Sequence, residues 1–66
     1  MRVYINGKET EVSDQLTIAA LVAERGLNPN TVVVEHNLAI QPKEKWSELT
    51  LAVDDKLEIV SFVGGG

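Results

Sequence analysis

Only one stretch of this chain has the spacing of a helix, and strand-like sequence hems it in on both sides. In SDQLTIAALVAERGL, Ile18, Leu21 and Val22 recur on one face at helical spacing, while Ala19, Ala20 and Ala23 favour the same conformation. Thr17 is placed to cap a helix over residues 18–25, with Leu16 packing on Leu21 as a hydrophobic staple. Gly26 supplies a left-handed stop, and Leu27 folds back over the last turn. A single helix covers one face of one sheet, so the rest of the chain must form a sheet with its other face open.

The flanking segments supply the strands. Val3 and Ile5 alternate with Arg2, Tyr4 and Asn6, and Asn6-Gly7 is a strong hairpin signal because both residues tolerate positive φ. Thr10 and Val12 carry the return strand. Val32-Val33-Val34 reads as a strand buried at least partly on both faces. Asn37 marks a turn, and Ala39-Ile40 a very short strand that Pro42 ends or confines to an edge. Residues 43–48, around Trp46, read as one helical turn or an irregular connection. Asp54-Asp55 signals a turn. The last strand, KLEIVSFV, places Leu57 and Ile59 on one face and Glu58, Val60 and Phe62 on the other. The expected fold is α+β: a mixed four- to five-stranded sheet with one main helix on one face. Residues 1–63 are expected to form the domain and residues 64–66 a flexible tail of three glycines.

Composition narrows the function classes. A chain of 66 residues forms one domain at most and buries about 60% of the surface its unfolded form exposes. With no cysteine and one histidine, a disulfide framework and the usual zinc clusters are excluded, and no metal site is expected. A net charge of −4 and scattered basic residues disfavour a nucleic-acid partner. No apolar run approaches the roughly 20 residues of a membrane span. The strand pattern begins at once, leaving no room for a signal peptide, so the expected location is the cytoplasm.

The end of the chain, SFVGGG, carries the chemistry. The α-carboxylate of Gly66 is ionised at neutral pH, and attack on the α-phosphate of ATP would turn it into an acyl-adenylate with a good leaving group. Gly64 and Gly65 suit threading into another protein's active site, because no Cβ narrows the channel. Three glycines add about 10 Å of reach beyond Val63. Val60, Phe62 and Val63 form a candidate patch for docking that partner, on the face the helix leaves open.

These residues resemble a known family. A chain of this size with hairpin, helix, strand and a final strand ending in Gly-Gly resembles the ubiquitin-like β-grasp fold. More narrowly, Val34-Glu35-His36-Asn37, Pro42 with Trp46, Glu58-Ile59-Val60 and Gly65-Gly66 resemble the thiamine-biosynthesis sulfur carrier family, ThiS. The resemblance implies that a ThiF-like adenylyltransferase adenylates Gly66 using ATP and magnesium, and that a persulfide sulfur donor then provides sulfur for a Gly66 thiocarboxylate. Thiazole synthase would take that sulfur into the thiazole ring of thiamine. The chain would be a stoichiometric cosubstrate rather than an enzyme, binding no cofactor and holding no catalytic residue of its own. The alternatives are a carrier for another pathway, of the molybdopterin type, a ubiquitin-like protein modifier, or an interaction module whose tail is inert.

Two positions depart from the family pattern. Leu38 stands where glycine is frequent and cannot enter the left-handed region cheaply, so its turn is expected to take another geometry. Val53-Asp54-Asp55 replaces an Asp-Gly-Asp turn, and Asp54 tolerates the left-handed region. Trp46 is expected to lid a small core. His36, with no second ligand at a useful spacing, is expected to be a solvated loop residue.

Overall fold

The computed structural model of the chain describes residues 1–62. Strands β1 (Arg2–Ile5) and β2 (Lys8–Glu11) form the opening hairpin, followed by helix α1 (Ile18–Glu24), β3 (Val32–His36), β4 (Ala39–Gln41), a 3-10 turn at Lys43–Lys45, and β5 (Lys56–Ser61). The sheet order is β2-β1-β5-β3-β4. The last strand therefore inserts in the middle, parallel to β1 and antiparallel to β3. Five strands and one helix match the expected α+β arrangement.

The helix is delimited by the residues its sequence marks out. Ala20 N–H donates to Thr17 Oγ1 at 3.1 Å, satisfying one donor of the first turn. At the other end Gly26, at φ +69°, sends its N–H to Ala23 O, and Leu27 N–H reaches Val22 O. This is a Schellman closure, and it puts Leu27 against the core. Ile18, Leu21 and Val22 meet Val3, Ile5, Val34 and Leu57 in the core, with Leu16, Val32, Trp46 and Leu51 closing its edges. Trp46 is buried as a lid, its Nε1–H donating to Gln41 O at 2.9 Å so that no polar atom is stranded.

Two expectations about the β3–β4 region are corrected. Val32 and Val34 are buried, but Val33 points to the open side. Three consecutive valines conceal the alternation that a polar residue would have revealed. Leu38 does enter the left-handed region, at φ +75°, beside Asn37 at φ +51°. The cause is register: His36 pairs with Ala39, leaving two residues to reverse the chain, and a two-residue primed turn needs positive φ at both. Asn37 pins the turn, accepting at Oδ1 from Lys56 N–H at 2.9 Å and donating its own N–H to Lys56 O at 2.8 Å. Asp54 takes φ +69°, as its residue type allows.

Candidate functional site

The site divides into a tail and the surface beside it. Val63, Gly64, Gly65 and Gly66 lie outside the described residues. What the structure fixes is their base. Past the end of β5, Phe62 N–H donates to Thr31 O at 2.9 Å, so the chain is tied to the start of β3 up to residue 62. On its other flank β5 is held by Asn6. From the hairpin turn, at φ +52°, the Asn6 side chain accepts from Ile59 N–H at 2.7 Å and donates to Ile59 O at 3.2 Å. Asn6 N–H also donates to Leu57 O at 2.8 Å. The turn residue thus extends the β1–β5 ladder beyond the last paired strand residues, Ile5 and Leu57.

On the face away from α1, Val60 and Phe62 are 59% and 62% exposed. Ile59 turns to the core, so the facing expected for the last strand holds. Register adds residues that sequence reasoning missed. Val33 lies opposite Val60, and Ile40 in β4 lies opposite Glu35. Ile40 is 67% exposed, and Leu38, at the tip of the hairpin, is 90% exposed. The usable signal was the one-helix argument itself: once β3 pairs with β5, its odd-numbered residues must share the uncovered face with Val60.

The same face carries charge. Glu35 and Glu58 are direct partners across β3 and β5. On the β1 side, Arg2 is engaged by Asp54 through Nε at 2.9 Å and Nη2 at 2.8 Å, and its guanidinium lies 5.8 Å from the Tyr4 ring centroid.

His36 is not the solvated loop residue expected. Its register partner is Leu57, on the core side, and it is half-buried with Nε2 2.7 Å from Asp55 Oδ2. Asp55 also accepts from Ala52 N–H at 2.8 Å and from Asn37 Nδ2 at 3.2 Å. Burial alone would push the Asp55 carboxyl up, but the hydrogen bonds from His36, Ala52 and Asn37 outweigh it and hold the carboxyl below its ordinary value. The cluster ties the β3–β4 turn to the loop before β5 and reads as structure. Among the described residues no group of three His, Cys, Asp or Glu side chains gathers as a metal site, and no helix is long and apolar enough to cross a membrane.

Comparisons place this geometry among known proteins. The ThiS family model matches residues 2–66. The sulfur carrier protein ThiS of Bacillus subtilis is 43% identical over 65 residues, covering 97% of this chain and 98% of that protein. A thiazole synthase of Paramagnetospirillum magneticum is 44% identical over all 66 residues, though the chain spans only 20% of that protein's length. The crystal structure of a thiamine biosynthesis protein (ThiS) from Geobacter metallireducens superposes with a TM-score of 0.86 at 28% identity, with both chains fully covered. The fold is the ubiquitin-like β-grasp.

Proposed function

The chain belongs to the ThiS family, and from that premise we propose that it is a sulfur carrier of thiamine biosynthesis whose Gly66 carboxylate becomes a thiocarboxylate. The observation that carries this reading is the family match running through the terminal glycines, with the Bacillus sulfur carrier matched almost end to end. The Gly66 carboxylate attacks the α-phosphate of ATP in a ThiF-like adenylyltransferase that binds ATP and magnesium, releasing pyrophosphate. The terminal sulfur of a persulfide then displaces AMP. A thiol cleaves the resulting sulfur–sulfur bond, leaving the thiocarboxylate and a disulfide. Thiazole synthase is the acceptor of that sulfur, a partnership supported by the thiazole synthase that carries a matching segment. The chain contributes no acid, base or metal and is consumed and regenerated stoichiometrically in the cytoplasm.

The folded body's part is positional. Four residues separate Phe62 from Gly66, at most about 14 Å of extended chain, so the receiving active site must open close to Val60, Phe62 and Val63. Gly64 and Gly65 are the segment that threads into it. The test is a mass spectrum of the intact chain after incubation with adenylyltransferase, ATP, magnesium and a persulfide donor. One sulfur replacing one oxygen at Gly66 is expected. Gly66→Ala should slow the exchange about 100-fold, because a misplaced carboxylate loses alignment, while the folded body is unchanged. Absence of the exchange in the unsubstituted chain refutes the reading.

A further inference from the structure

Two features of the open face lower the stability of the fold without benefit to it. Glu35 and Glu58 stand directly opposite each other, a like-charge cross-strand pair of the kind that destabilises a sheet. Neither joins an ion pair among the described residues. Leu38 holds a left-handed backbone while its side chain, 90% exposed, buries almost nothing. Both features border the same apolar groups. Ile40 is the β4 neighbour of Glu35, and Val33 and Val60 form the next pair along the β3–β5 ladder. Repulsion and strain retained side by side on one surface point to an external group that relieves or uses them.

We propose that the surface running from Phe62 and Val60 across Val33 and Ile40 to Leu38 docks the adenylating enzyme, and that this enzyme presents an arginine or lysine side chain to Glu35 and Glu58. The proposal rests on the sulfur-carrier reading. Charge identifies the occupant: two adjacent carboxylates on a chain of net charge −4 call for a cation. A guanidinium meets paired carboxylates through a planar fork and tolerates apolar neighbours on its faces. An active site built to hold a triphosphate has a positive field at its mouth, and the tail that enters it leaves from β5, the strand that bears Glu58. A second copy of this chain is a poor occupant, because an isologous contact would bring one carboxylate pair towards another. Leu38 supplies an apolar anchor at the far rim, held out by a turn that glycine would form more easily.

The experiment is ATP–pyrophosphate exchange by the adenylating enzyme, with the full chain as variable substrate. Reversal of both charges in E35K/E58K should raise KM for the carrier at least 30-fold, with the loss falling on KM rather than kcat. Isosteric E35Q/E58Q should raise KM about 5-fold and flatten its increase with salt. L38G should raise KM about 3-fold while melting at a higher temperature, so lost docking cannot be ascribed to unfolding. E24K makes the same charge change as E58K at an exposed position on α1, and should leave KM within about 2-fold. Wild-type KM in E35K/E58K, with exchange intact in the unsubstituted chain, overturns the docking proposal and leaves the carrier reading standing. No exchange and no thiocarboxylate with the unsubstituted chain overturns both. A chain that sediments as a dimer, and becomes monomeric in I40S, would assign the face to a second copy and overturn the proposal.

Discussion

Replacing Leu38 by glycine should make this protein more stable, although it deletes a large aliphatic side chain. The usual cost of such a deletion is lost burial, and here there is almost none to lose, because the side chain is 90% exposed. The gain comes from the backbone. At φ +75° a residue with a Cβ is strained by about 1–2 kcal/mol, and glycine is not. Part of that gain is cancelled, since glycine makes the unfolded chain more flexible by about 0.4–1 kcal/mol. The balance is a stabilisation of about 0.5–1 kcal/mol, or a rise in Tm of about 3–6 °C for a domain of this size. Thermal and urea unfolding followed by circular dichroism read it directly. Leu38→Ala is the necessary partner variant, because it removes the same side chain but keeps the Cβ. It should stay within about 0.5 kcal/mol of the parent. The reasoning is refuted if L38G is no more stable than L38A, because the strain assigned to φ would then be absent.

Two other predictions concern the clasps around β5. Asp55→Asn should destabilise the fold at neutral pH by about 2 kcal/mol, the scale of hydrogen bonds to a charged group. Because the folded Asp55 carboxyl sits below its ordinary value, its contribution is complete above the ordinary carboxylate range and disappears as pH falls through the folded value. Urea midpoints measured from neutral pH down to pH 3 should therefore fall more steeply for the parent than for D55N, and parallel curves would contradict this. Asn6→Gly keeps a residue at ease at φ +52° but removes both side-chain bonds to Ile59. It should cost about 1–2 kcal/mol and speed hydrogen exchange at the Ile59 amide. An Ile59 amide exchanging at the parent's rate would show that Asn6 acts only as a turn former.

Much of the architecture was readable because its decisive signals are local. Thr17, Gly26 and the Asn6-Gly7 pair act through their own backbone or their nearest neighbours, so no tertiary knowledge is needed to place them. Trp46 was readable for a related reason: in so small a core a large aromatic ring has few places to go. The misreadings fall where a distant partner decides. Nothing next to Leu38 states that His36 pairs with Ala39, yet that pairing leaves the turn only two residues. His36 looks solvated until β5 brings Leu57 beside it and Asp55 into hydrogen-bond range. Ile40 and Val33 likewise become part of a surface only through pairing across β3, β4 and β5. The candidate patch was therefore half legible, its β5 members from alternation and its β3 and β4 members only from register.

The two faces of the sheet answer to different constraints, and β5 is where they meet. Leu57 on its covered side is fully buried under α1, while Glu58 and Val60 on its open side touch solvent. A substitution under the helix therefore acts on stability first, and reaches function only by loosening the base from which the tail departs. On the open face the expected relation is inverted. Glu35→Gln removes a repulsion across β3 and β5, so it should hold or raise stability while weakening the grip on a cationic partner. Asn6 and Thr31 clamp β5 from its two flanks at Ile59 and Phe62, so a partner pressing on the open face meets a strand that cannot slide. That rigidity lets a contact made at Val60 and Phe62 fix the point from which Gly66 must reach.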